Sequence, residues 1–191
     1  MDTNDTKTRL MDAAEHYVRH TGADGFSYGD LAKDIGIRKA SIHYHYPAKG
    51  DLLTAIMARY SGSVMERLEN IRASSSSPQN ELVAFVRFYR DALQEGAALC
   101  LCVAYAVGND GLPEDTHAQM IAFREKVCLW LEAGLSKIPS DMLPILGAKD
   151  PKAGAAVLLA LVEGAQIAAR IGRDVTAFDV ATSSLMSALC T

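Results

Sequence analysis

The chain has 191 residues, 49% of them apolar and 22% charged, which allows a substantial core and argues against general disorder. Its net charge of −4 is mild and hides an asymmetry: residues 1–50 hold seven Lys/Arg against seven Asp/Glu, while the remainder holds twelve against sixteen. Between Asp34 and Asp51 lie Arg38, Lys39 and Lys49 and no acidic residue, a small positive island in an acidic protein.

The opening "MDTNDTKTRL" is polar and is not followed by the apolar stretch of a signal peptide. The runs "AALCLCVAYAVG" and "AGAAVLLALV" fall short of the roughly 18–20 residues that span a bilayer, so a cytoplasmic chain with no membrane partner is expected. In that compartment Cys100, Cys102, Cys128 and Cys190 are expected as free thiols, and their spacing lacks the paired pattern of a zinc site.

In chain order, Leu10, Ala14, Tyr17 and Val18 predict a helix over about 6–20, closed by Gly22. Ser27, three residues before Asp30, reads as the N-cap of a short helix that Gly36 ends. Another short helix starts near Arg38 and must stop by Tyr46, because Pro47 disfavours helical backbone at the residue before it. A long helix follows over 49–72, and "ASSSSPQN", 73–80, reads as a linker. Further helices are expected at 80–95, 97–107, 114–136, 152–171 and 175–190, with a proline-marked loop before the last two. The expected fold is all-α, about nine helices in all.

Two short helices around a glycine turn form a helix-turn-helix unit, whose second helix enters the major groove in DNA-binding versions. Proteins that bind no DNA also use this geometry. On the second helix, His43-Tyr44-His45-Tyr46 raises the question of a metal or catalytic histidine pair. Residues two apart on a helix point about 200° apart, so His43 and His45 cannot chelate one ion together. Ile42 and Tyr46 share the face suited to pack inward, which leaves Lys39, Ser41, His43, Tyr44 and His45 around the rest. Arg38 and Lys39 at the helix tip suit phosphate contact. Lys49 reads as a phosphate clamp or a solvated lysine, Ser27 as a cap or a phosphate ligand or both, and Tyr28 as a DNA contact or a packing residue. No nucleophile elbow, phosphate loop or H-E-x-x-H pattern is present, and neither an enzyme nor a cofactor is expected.

The stretch "AAEHYVRHTGADGFSYGDLAKDIGIRKASIHYHYPAKGDLLTAI" resembles the N-terminal DNA-binding domain of the tetracycline-repressor (TetR/AcrR) family. The resemblance rests on Ala32, the turn glycine Gly36, Ala40 and Ser41 opening the recognition helix, the run Ile42 to Tyr46, and Lys49. Tyrosine is commonest where His43 stands, phenylalanine where Tyr46 stands, and a capping Ser, Asn or Thr where Ala48 stands. It implies a DNA-binding head over residues 1–48 and a ligand-binding and dimerisation domain over 49–191. It implies a homodimer paired through its last two helices on a near-palindromic duplex operator, released by a small-molecule inducer. The DNA contacts it supports are Ser27, Tyr28, Arg38, Lys39, Ala40, Ser41, His43, Tyr44, His45 and Lys49. Small residues from Ala153 to Ala169 independently suit close helix approach at a two-fold interface.

Candidate linings of an inducer pocket are Phe85, Phe88, Tyr89, Cys100, Tyr105, His117, Met120, Phe123 and Trp130, with core packing the alternative at each. Cys100 and Cys102 pack as small hydrophobes or sense in the pocket. A repressor that responds to oxidants or electrophiles through either thiol is the alternative function.

Overall fold

The computed structural model describes residues 3–108, 111–145 and 147–190, which form ten helices and no strand. They are α1 (Thr3–Thr21), α2 (Tyr28–Ile35), α3 (Lys39–His45), α4 (Lys49–Ser74), α5 (Pro78–Asp91), α6 (Leu101–Ala106), α7 (Glu114–Leu135), α8 (Met142–Ile145), α9 (Pro151–Gly172) and α10 (Thr176–Leu189). The all-α expectation holds. The helix beyond the expected nine is α8, a single turn inside the proline-marked loop, where Pro144 sits too near the helix start to remove a hydrogen bond.

Two compact units divide the chain, and the division falls within α4 and α7. The first runs to Gly62 and includes Leu101–Ile121. In it Leu10, Ala14 and Val18, four apart, bury one stripe of α1, joined in the core by Leu31, Ile42, Leu52 and Ile56. Arg59 of α4 binds Asp12 at 2.6 Å and Glu15 at 2.9 Å on α1, while Arg9 donates to the Ile35 carbonyl at 2.7 Å. Tyr105 of α6 is fully buried and donates to the Leu53 carbonyl at 2.9 Å, and burial raises its phenol pKa.

The second unit holds Ser63–Cys100 and the chain from Ala122 onward. Leu82, Phe85, Val86, Val127, Leu131, Val162, Ala165 and Phe178 fill its core. Arg90 grips Asp179 through two nitrogens, at 2.5 and 2.8 Å, and ties α5 to α10. Glu81, 4% exposed, takes Arg72 at 2.9 Å, and the same guanidinium donates to the Trp130 carbonyl at 2.7 Å and lies 4.6 Å from its ring centroid. By length and composition α9 is a described helix able to cross a membrane; 44% of its most apolar window is buried.

Two expectations change. The serine run is a linker only from Ser75 to Ser77, because α4 extends to Ser74 and Ser77 caps α5 by accepting from Asn80 N–H at 3.1 Å. Residues 92–100 are not helical, since Gln94, Glu95 and Gly96 have φ of 46°, 57° and 82°. Three left-handed residues in succession end α5 and delay α6 to Leu101. At Gly96 the backbone is also close-packed: a Cβ there would stand 2.9 Å from the Ala169 carbonyl oxygen and from Asp174 N. Gly96→Ala is therefore expected to remove about 1–3 kcal/mol of stability, read from the urea midpoint. An unchanged midpoint would contradict this packing.

Candidate nucleic-acid interface

The head begins with a reciprocal cap. Ser27 Oγ accepts from Gly29 N–H at 3.2 Å and Asp30 N–H at 3.3 Å, while Ser27 N–H donates to Asp30 Oδ2 at 2.8 Å. The Ser27 hydroxyl also donates to Asp30 at 2.7 Å, and these bonds hold the Asp30 carboxyl below its ordinary pKa. Ser27 is thereby occupied as a cap. Gly36, with φ of 70°, makes the left-handed turn into α3 that the sequence requires.

Helix α3 is anchored through Ile42, fully buried, and Tyr46, 5% exposed. Tyr46 is extended, as the residue before a proline should be. Tyr28 is buried, and its hydroxyl is shared between the carbonyls of Tyr46 at 2.9 Å and Ala48 at 2.8 Å. Burial first, then the Asp51 carboxylate, pushes its phenol up to about 12. Of the two roles expected for Tyr28, the burial and the committed hydroxyl proton are those of a packing residue. Lys49 also turns inward: its ammonium donates to the Phe26 carbonyl and lies 4.1 Å from the Phe26 ring centroid, with a pKa lowered mainly by burial. It straps the start of α4 to the turn before α2. The cap missing at Ala48 is half supplied by Asp51, which accepts the Ala48 N–H at 2.9 Å.

What remains outward is the acid-free surface. Arg38, Lys39, Ala40, His43 and Tyr44 are exposed, and Ser41 and His45 half-buried. Tyr44 is 80% exposed. His43 Nδ1 lies 3.2 Å from the Pro47 carbonyl; a carbonyl only accepts, so that nitrogen carries the proton. Its ring meets Tyr28 edge-on at 4.9 Å, whereas His45 packs edge-on against Tyr44 at 5.2 Å. The two histidines thus have separate partners. An open depression of about 560 Å³ is lined by Thr6, Ile37, Arg38, Ala40, Ser41, Tyr44 and His45. Thr6 escaped sequence reasoning, since only the packing of α1 brings it there.

The expected pocket residues are distributed over both compact units. Phe85 stacks on Trp130 at 5.7 Å and meets Tyr89 at 5.0 Å, with half-buried Phe88 at 5.2 Å from Tyr89. Phe123 and Cys100 are buried in the same unit. Tyr105, His117 and Met120 belong to the first unit, where Tyr105 is committed to Leu53 and His117 is exposed on α7. Exposure removes His117 as a lining of any interior site in that unit.

Residues 10–56 match the family model described as bacterial regulatory proteins of the tetR family. Solved structures agree over nearly the whole chain. A TetR-family transcriptional regulator from Agrobacterium tumefaciens is 24% identical, with a TM-score of 0.86 over 97% of this chain and 98% of that one. A TetR regulator from Legionella pneumophila is 26% identical, with a TM-score of 0.75 over 95% and 92%. Residues 10–56 are an N-terminal domain of the TetR family of bacterial regulatory proteins, and the chain as a whole has the fold of that family's transcriptional regulators. Reduced E. coli NemR, 20% identical and matched over 96% of both chains at a TM-score of 0.79, shares the fold. No curated protein matches by sequence. TetR-family regulators are DNA-binding proteins, not enzymes.

One consequence concerns α3. Tyr46 Oη is buried without a hydrogen-bond partner among the described residues. Tyr46→Phe should therefore leave thermal stability unchanged or raise it by up to about 1 kcal/mol. A fall in melting temperature would show that the hydroxyl has a partner.

Proposed function

We propose that the chain is a homodimeric repressor that occupies a near-palindromic operator through α3 until a small molecule enters its second unit. The observation that carries the DNA-reading half is the outward, acid-free face of Arg38, Lys39, Ser41, His43, Tyr44 and His45 on a helix anchored by Ile42. Arg38 and Lys39 bind phosphate, while Ser41, Tyr44 and His43 meet base edges or the sugar-phosphate wall. Ser27, Tyr28 and Lys49 hold the helix at the angle this needs.

The dimer is supported by the free surface of α9 and α10. Val157, Ile167, Ile171 and Val180 are exposed, Ile171 at 81% and Val180 at 74%. A Cβ on Gly164 would meet nothing within 4 Å, so that glycine serves no contact inside the protomer and leaves room for an approaching helix. A groove of about 210 Å³ between the two helices is lined by Gly154, Val157, Leu158, Leu161, Ala181, Ser184 and Leu185. An isologous pairing of α9 and α10 covers this apolar surface.

The ligand must bind the DNA-incompetent state more tightly, since equal affinity for both states shifts nothing. Regulation by thiol modification meets an obstacle: Cys100 and Cys102 are 4% and 3% exposed, so a reagent reaches them only through local opening.

The test uses a duplex that the wild type selects from a random library. Lys39→Ala and Tyr44→Ala should stay folded and dimeric while losing about 1–3 kcal/mol of affinity each. Unchanged affinity in both variants would remove α3 as the reader.

A further inference from the structure

Gln166, on α9, is 1% exposed. Its Oε1 accepts from the Cys100 backbone N–H at 2.8 Å. That bond decides which way the amide faces, because a backbone N–H can be met only by the carbonyl end. Nε2 is consequently turned away from Cys100, and it has no hydrogen-bond partner among the described residues. The surroundings hold this arrangement firmly. Gly96 abuts Ala169 and Asp174, and Arg170 donates to the Ala97 carbonyl, so segment 96–100 lies along α9 from residue 170 back to 166.

A buried donor left unmet costs about 1–3 kcal/mol, and Gln166 meets the Cys100 N–H only by bringing its own NH₂ into the interior. Unmet buried groups of this kind mark places where a ligand or water completes the hydrogen bond. The chemistry of the missing partner follows from the group. An amide NH₂ only donates, so the partner offers an acceptor. It is uncharged, because no lysine or arginine is buried among the described residues to neutralise an anionic acceptor. One turn to either side, Val162 and Ala169 are buried and apolar, so the rest of the partner is hydrocarbon.

We propose that Gln166 is the polar anchor of the effector site, its Nε2 donating to the oxygen of a neutral carbonyl compound with an apolar body. This names the ligand class for the repressor proposed above and rests on that reading. Trp130 Nε1 is a second buried donor without a partner among the described residues. The Arg124–Glu163 pair and the packing of Gly154 on Leu135 make α7 and α9 antiparallel. Trp130 therefore lies about 12 Å along the α9 axis from Gln166, and a one-ring compound reaches only one of the two.

The test is calorimetric titration of the full chain with acetophenone and with ethylbenzene, which have nearly the same shape and differ by the carbonyl oxygen. Wild type should prefer acetophenone by about tenfold. In Gln166→Met, which keeps the length and loses the NH₂, the ratio should fall to near one. A purely structural role for Gln166 would lower the stability of the variant and leave the ratio untouched, which overturns the proposal. Equal affinity in wild type, or binding of neither compound up to its solubility, also overturns it and needs no folded variant. Operator binding is measured on the same preparation. Wild type that holds its selected duplex without preferring acetophenone overturns the anchor alone, whereas wild type that holds no duplex overturns the function it rests on.

Discussion

The reading head depends on one hydroxyl. Tyr28 donates to the carbonyls of Tyr46 and Ala48, the two residues on either side of Pro47. Pro47 has stopped α3 and cannot itself donate, so the backbone at this corner needs an outside donor. Tyr28 supplies it from the first turn of α2, and thereby fixes both the end of α3 and the start of α4. The ring that carries the hydroxyl also meets His43 edge-on at 4.9 Å. Anchoring the backbone and orienting an outward side chain are the work of the same residue. Lys49 and Asp51 finish the corner, one on the Phe26 carbonyl and the other on the Ala48 N–H.

This division of labour leaves the proposed DNA-facing surface free of acids in a protein with net charge −4. Cations that could have faced outward, such as Lys49, are spent on the frame. Arg38 and Lys39 remain, on a helix with no acid in it. Nearby carboxylates are engaged: Asp30 in its cap, Asp12 and Glu15 with Arg59. A weakly charged protein can concentrate a favourable potential at one helix by pairing the acids around it.

Much of the head was legible because its signals are local. Ser27 with Asp30, Gly36, and Pro47 each set backbone conformation within a few residues, and the buried pair Ile42 and Tyr46 follows from helical spacing. What escaped depends on contacts distant in sequence. Nothing near Tyr28 says that its hydroxyl is consumed 18 and 20 positions later, and nothing near Lys49 points to Phe26. Thr6 joins the face only through the fold. In the second unit the helical expectation failed at 92–100, where Gln94 and Glu95 take left-handed backbone against their own preference. That cost is met by packing on α9, and the same packing brings Cys100 to Gln166, 66 positions away. Gln166 drew no notice in the sequence because a glutamine on a small-residue helix reads as solvated until its burial is known.

The most direct test of the account is selection of duplexes from a random library by the purified chain, followed by footprinting and the stoichiometry of the complex. A dimer reading through two copies of α3 should enrich inverted repeats, with half-site centres about one helical turn, or a multiple of it, apart and two chains per site. No enrichment, or a single unrepeated element bound by one chain, would contradict it.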